Sequence, residues 1–480
     1  MLPEALVAAA FLNLAAATAP PEGLPPDVPV THSRHRRAAL KLPPELRNAG
    51  VDDDDAPLSY LVDLRDQLDL GRAATILARN PSSRKAHRQW VSRALASIAA
   101  RGQGRLRPLL DDLRRKGDIV SWTGVSIVNR LVVTGRPRGI RALAANAEVD
   151  FIAPEVESQA ALEETTAGPA GAATSWSLDA IGAREAWKLG FDGTGVTVAL
   201  IDSGASNLHE QLRGNFRGGP SSWFDPLRDD AEPSDVQTGH GTAVLSCAVG
   251  RGADDAALGV APGAKWIAAV GLNGGRYNSV LVTRAADWML NVGQPDVLIL
   301  AFRAPGTGCD DSLRRIVNAL RAAEILVVFA AGNGGPRART DVSPANYARL
   351  FPGSGTALSV GAVDFDRKAD PRSSRGPNRC GASLFPQVVA PGSDVRVAVP
   401  AGPSLYRRAT GTSFAAGYVG GAAAVLLQAF PDATAARVEE ALRNGALDLG
   451  PAGPDSTYGH GLVNIPGALN YLRNGPRPHQ

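Results

Sequence analysis

From Trp176 onward, short apolar runs alternate with stretches whose apolar residues recur every three or four positions. Val196 to Ile201, Trp266 to Val270, Val297 to Leu300, Ile325 to Phe329 and Leu358 to Val363 are bounded by glycine, proline or charge, and each predicts a buried strand. Strands alternating with helical segments predict an α/β fold, a mainly parallel sheet flanked by helices. The longest helical pattern runs through Val419, Ala422, Ala423, Val425, Leu426 and Leu427. Glycine and charge interrupt the apolar helices, so no stable membrane span is expected.

A different pattern precedes this region. Leu58 to Leu64 alternates imperfectly, as a strand does, and Trp90, Ala94, Leu95 and Ile98 recur at helical spacing, with Leu106 to Leu113 extending that helix past Gly102 and Gly104. Ile119 to Trp122 and Ile127 to Val133 read as strands, Ile140, Leu143 and Ala144 as a short helix, and Val149 to Ile152 as a last strand. The order strand, helix, strand, strand, helix, strand is that of a small α+β ferredoxin-like domain over 58–157. Residues 20–57, rich in proline and with the basic run His32 to Arg37 and the acidic run Asp52 to Asp55, are too polar to bury a core and read as a linker. A second linker, small and polar as a processing site should be, spans 158–175 and is expected to hold that site, and the α/β domain covers 176–470 with a tail at 471–480.

Composition adds limits. The 480 residues carry a net charge of only +3, dispersed and mostly from arginine, which gives no reason to expect a nucleic-acid partner. Residues 1–19 hold an apolar run from Ala5 to Ala17 ending in a small-residue stretch, a signal-peptide pattern that lacks the usual positive leader and has Glu4 instead. The expectation is export, to the periplasm or outside. The three cysteines exclude a disulfide-built scaffold. In an exported protein Cys309 and Cys380, both in polar loop-like stretches, are the preferred pair, against the alternative of three reduced thiols; Cys247, in an apolar context, reads as a buried free thiol.

Candidate chemistry lies at the edges of the apolar runs. Ser413, in Gly411-Thr412-Ser413-Phe414-Ala415-Ala416, opens the longest helix, where free backbone N–H groups favour negative charge. Asp202 ends a strand, His240 opens a glycine-flanked helix in Gly239-His240-Gly241-Thr242, and Asn333 follows a strand in Ala331-Gly332-Asn333-Gly334. Taken singly these are an N-cap, a turn carboxylate, a surface histidine and a turn amide. Together, in the order Asp…His…Ser, they match one of the chain orders of a Ser-His-Asp triad. His209 and His460 are rival bases without the glycine-flanked helix start. The Gly332 segment lacks the spacing of a nucleotide-binding loop.

These segments resemble those of the subtilisin-like serine peptidases, the subtilase family. The match extends to Gly259-Val260-Ala261-Pro262-Gly263, Ser373-Ser374-Arg375-Gly376-Pro377, Val389-Ala390-Pro391-Gly392 and Tyr458-Gly459-His460-Gly461, so it covers about 176–470. The resemblance implies a serine endopeptidase acting on polypeptides, with Asp202, His240 and Ser413 catalytic and Asn333 with the Ser413 N–H forming an oxyanion hole. It also implies that 58–157 is a propeptide that inhibits its own enzyme, the alternative being a permanently attached accessory domain. No cofactor is required; the acidic cluster Asp225, Asp229, Asp230, Glu232 and Asp235 fits no calcium-loop spacing and reads as a solvated loop, with structural calcium left open.

The chain departs from its relatives at the substrate groove. Where they carry Ser-Leu-Gly or Ser-Trp-Gly, it has Ala301-Phe302-Arg303, and Arg303 admits three readings: attraction of acidic side chains, obstruction, or a solvent-facing residue. Obstruction would make the protein a pseudoprotease or binding module. Phe414 replaces a common Met, and Gly417-Tyr418 a common Pro-His, with Gly417 expected to loosen the first helical turn.

Overall fold

A computed structural model of the chain describes residues 28–33, 38–47, 56–79, 83–159, 176–228, 232–235, 237–252, 256–304, 308–348 and 356–475. Residues 1–19, with the expected signal-peptide pattern, and most of the second linker lie outside these residues.

The N-terminal domain is built from β1 (Leu58–Leu64), α1 (Arg84–Arg115), β2 (Ile119–Val125), β3 (Arg130–Gly135), α2 (Pro137–Ala145) and β4 (Val149–Pro154). Its sheet order is β2-β3-β1-β4, all antiparallel, which is the ferredoxin-like arrangement. α1 passes Gly102 without a break because that position faces the β2–β3 turn: a Cβ there would lie 2.9 Å from Asn129 Nδ2.

Two expectations need correction here. Ile127 to Val133 is not one strand, since β3 begins at Arg130 and 126–129 form the hairpin turn, with Asn129 at φ 40°. Ile127 and Val128 are buried against the second domain, so their apolar character serves a docking seam. The stretch 20–57 is also more than a linker. Val30–His32 pairs antiparallel with Asp66–Leu68, and Leu42 and Leu46 are buried among Ile140, Leu143 and their neighbours. A segment too polar to build a core can still lay a few leucines onto an existing one.

After β5 (Glu157–Gln159) comes the α/β domain, with β6 (Thr197–Asp202), β7 (Trp223–Phe224), α3 (His240–Val249), β8 (Lys265–Val270), β9 (Arg276–Asn278), α4 (Ser279–Trp288), β10 (Val297–Leu300), α5 (Arg314–Ala322), β11 (Leu326–Ala330), β12 (Leu358–Val363), β13 (Val388–Pro391) and α6 (Thr412–Ala429). Seven strands lie in the order β13-β12-β11-β10-β6-β8-β7, all parallel. Side chains alternate between two cores: Val198 and Leu200 face the one built with α3 and α6, Ala199 and Ile201 the one built with α4 and α5.

α6 is long and apolar enough to cross a membrane by composition, yet 89% of it is buried inside the protein, which makes it a core helix. Gly417 and Gly421 lie on its α3 side, where a Cβ would stand 2.6 Å from Val244 O and 2.5 Å from Ala248 O respectively. Gly417 is therefore there for close helix approach, and its turn is packed, not loosened. The last helix, Ile465–Asn474, carries the domain past 470, with Tyr471 in the core.

Cys309 and Cys380 form a disulfide, and Cys247 is a free, buried thiol whose pKa burial pushes up to about 12.

The two domains share one apolar seam, where Leu95, Ile127 and Val128 meet Met289, Ile316 and Ala319. Polar contacts run through it: Arg88 donates to Gln294 O (2.7 Å) and Asp296 Oδ1 (3.3 Å), while Asp287 of α4 accepts from Ser126 N (2.9 Å), Ser126 Oγ (2.9 Å) and Ile127 N (2.8 Å). β5 then adds antiparallel to β9, with Ser158 opposite Tyr277.

Candidate active site

In a parallel sheet the carboxyl ends of the strands open onto one crevice, and the predicted groups gather there. Asp202 is the last residue of β6, Ala301 to Arg303 follow β10, and Asn333 lies three residues beyond β11. His240 and Ser413 belong to the first turns of α3 and α6.

Asp202 is wholly buried, and its Oδ1 accepts from Ser203 N at 2.7 Å and meets His240 Nδ1 at 2.8 Å. A carboxylate at Nδ1 fixes the proton on that nitrogen and leaves the lone pair on Nε2. Close approach of helix to strand needs Gly241, where a Cβ would lie 2.0 Å from Gly204 O.

A carboxylate assigned to a solvated loop is central here. Asp235 is buried and accepts from Ser203 Oγ (2.9 Å), Gly239 N (3.1 Å), Thr242 N (2.8 Å) and Thr242 Oγ1 (2.7 Å), thereby clamping the start of α3 to the end of β6. Burial pushes its carboxyl above the ordinary range. Asp225 is buried too and accepts from Leu227 N and Arg228 N. The acidic cluster is therefore partly internal scaffolding, and among the described residues no group of three or more His, Cys, Asp or Glu is arranged to hold a metal ion. Nothing in the local sequence marks Asp235 apart from its neighbours; three of its donors are on Gly239 and Thr242 just downstream, and the fourth, Ser203 Oγ, arrives from the end of β6.

Ser413 is buried, and its hydroxyl donates to Ala301 O at 3.3 Å. The next residue, Phe414, sets its ring 6.2 Å from the His240 ring, centroid to centroid. Asn333 is tied to the same helix start: its Oδ1 accepts from Thr412 N and Thr412 Oγ1, both at 2.9 Å. A backbone N–H only donates, so Oδ1 must face it and the amide NH2 points the other way. Ala301, Phe302, Arg303, Asn333 and Ser413 line one small hollow. The structure thus joins Asp202 directly to His240, and Asn333 through Thr412 to the turn holding Ser413, while the Ser413 hydroxyl is turned toward Ala301.

The rival histidines are elsewhere. His209 is buried, its Nδ1 accepting from Gln211 N (3.2 Å) and its Nε2 donating to Leu405 O (2.8 Å), and burial lowers its pKa. Burial lowers that of His460 as well. A histidine with a lowered folded pKa binds fewer protons folded than unfolded, so its contribution is intact above the unfolded value near 6.5 and fades as pH falls below it. The melting temperature should drop between pH 7 and pH 5, and His209→Asn, which keeps an acceptor for Gln211 N, should flatten that drop in calorimetric scans.

Comparison with known proteins follows the same lines. The profile of the Subtilase family matches residues 193–461. The chain is 30% identical to Bacillopeptidase F of Bacillus subtilis (strain 168) over 464 residues, 87% of this chain but 32% of that protein, so it spans about a third of that relative's length. It is 34% identical to Subtilisin Savinase of Lederbergia lenta over 295 residues, 61% of this chain and 97% of that protein. It is 29% identical to Subtilisin E of Bacillus subtilis (strain 168) over 363 residues, 74% of this chain and 86% of that one.

Proposed function

The chain belongs to the subtilase family and is a subtilisin-like serine peptidase; from that premise we propose that it is an exported endopeptidase using Asp202, His240 and Ser413, made as a proenzyme held by residues 58–157. The observation that carries the reading is the buried Asp202–His240 pair at 2.8 Å, set beside the α6 turn that bears Ser413.

A serine hydroxyl attacks a carbonyl only if its proton leaves in the same step. In this reading rotation about χ1 swings the Ser413 hydroxyl from Ala301 O to His240 Nε2, which takes the proton, and Asp202 stabilises the imidazolium that results. The new C–O bond drives negative charge onto the carbonyl oxygen, where the Asn333 NH2 and the N–H groups of the first turn of α6 receive it. Collapse expels the amine, which takes its proton from His240. Water then hydrolyses the ester by the same path in reverse. No cofactor enters this scheme.

Supporting the proenzyme are the addition of β5 to β9, a substrate-like strand contact, and the shared seam. Export agrees with the Cys309–Cys380 disulfide, since such bonds persist in oxidising compartments. If the first domain is an inhibitor, Asp287→Ala removes the acceptor of three hydrogen bonds at the seam. After processing, the two fragments of the parent should co-elute on gel filtration, and those of the variant should separate, with Kd raised about tenfold or more.

One observation favours an inactive binding module, namely the Ser413 bond to Ala301 O beside a narrow hollow. A fluorophosphonate decides between the two. Labelling of the processed protein that disappears in Ser413→Ala supports the peptidase, and its absence supports the binding module.

A further inference from the structure

We propose, on the strength of the catalytic reading above, that Arg303 selects an acidic side chain on the residue whose carbonyl Ser413 attacks, so that the enzyme cuts after glutamate or aspartate.

The hollow that Arg303 lines also has Ser413 and Asn333 in its wall, which makes it the space beside the attacked carbonyl and not a remote subsite. It holds about 10 Å³, room for a single water. A bulky apolar side chain therefore finds little surface to bury there, and selection by the hydrophobic effect is weak. Charge remains. Of the residues lining the hollow, Arg303 alone is charged, and it is half-buried.

Arg303 also lacks an answering group. Several buried or partly buried arginines do have carboxylates: Arg321 meets Glu439, Arg130 meets Asp63 and Arg379 meets Asp341. Arg303 has no hydrogen bond or ion pair to any described residue. A guanidinium presents a planar fork that donates two hydrogen bonds to a carboxylate, and one held at the rim of a cleft without a partner among the described residues is a ready donor to that group. An acidic side chain can meet the guanidinium from the mouth without entering the hollow, whereas an apolar one gains only by burial, so the small volume weighs against the apolar one alone.

The test compares fluorogenic peptides that differ only in the residue before the scissile bond, Glu, Gln, Phe or Lys, using the processed full-length protein. Glu and Gln have the same shape, so their ratio isolates charge. The expected kcat/KM ratio of Glu over Gln is about tenfold at low salt, as for one charge-assisted contact that stays partly wet, and it should shrink as salt is raised. Arg303→Gln should bring the ratio to about one. Mass spectrometry of the chain's own processing should find the first cut in 160–175 after Glu163 or Glu164, the ionisable residues of that stretch. A Glu-to-Gln ratio near one in the parent, a ratio that Arg303→Gln leaves unmoved, or a first cut at another bond of the stretch overturns the proposal. Fluorophosphonate labelling of Ser413 with such a result leaves the peptidase reading standing. Failure of labelling and of every peptide brings down both.

Discussion

Ser413→Ala should lower kcat by about a million-fold, the size known for removing the nucleophile of subtilisin and taken over from it. In the proposed mechanism the loss is so large because the hydroxyl supplies the atom that bonds to the substrate, and nothing adjacent can replace it. The fold should be spared. The hydroxyl makes one long hydrogen bond, 3.3 Å to Ala301 O, and alanine is a strong helix former at the head of α6. Circular dichroism and melting temperature should stay close to the parent's while peptide turnover, phosphonate labelling and self-processing vanish together. Turnover that survives in the purified variant would remove Ser413 from the chemistry.

Asn333→Ala should cost two to three decades in kcat with a small change in KM, again the size known for the matching donor in subtilisin. In the proposed mechanism the selectivity for kcat follows from when the contact forms: the amide would meet an oxygen that carries charge only in the transition state. Removing Asn333 also strips Thr412 N and Thr412 Oγ1 of their acceptor, which costs stability on the order of 1–3 kcal/mol. Kinetics should therefore be run well below the variant's melting temperature. Asn333→Asp separates the two effects. It still accepts from Thr412 but offers no donor, so it should restore stability without restoring rate. A fully active Asn333→Asp would assign Asn333 to structure alone.

The parallel sheet was legible because both of its faces are covered, so its strands are unbroken apolar runs that local sequence displays. Asp202, His240, Asn333 and Ser413 could be picked out because each sits where such a run gives way to glycine or a helix start. Features created by contact between distant segments left no such trace. Ile127 and Val128 look like strand residues until the second domain is seen against them. Gly417 looks like a weak point in a helix until Val244 O is found where its side chain would be. Asp235 reads as one of several loop acids; three of its four hydrogen bonds come from Gly239 and Thr242 just downstream, and the fourth, from Ser203 at the end of β6, comes from a segment brought near only by folding. That Arg303 has no hydrogen bond or ion pair to a described residue likewise appears only once the described carboxylates are in place.

The seam between the domains mixes leucine and isoleucine with charged groups such as Arg88 and Asp287, a composition closer to that of a transient complex than to a protein interior. While the chain is intact, covalent attachment holds the two faces at an effective concentration on the order of millimolar. Under the proenzyme reading proposed above, scission would remove that advantage without altering a single contact. The amount of free enzyme after such a cut would then depend on how far the cleaved protein is diluted, so the surrounding volume itself would act as the trigger.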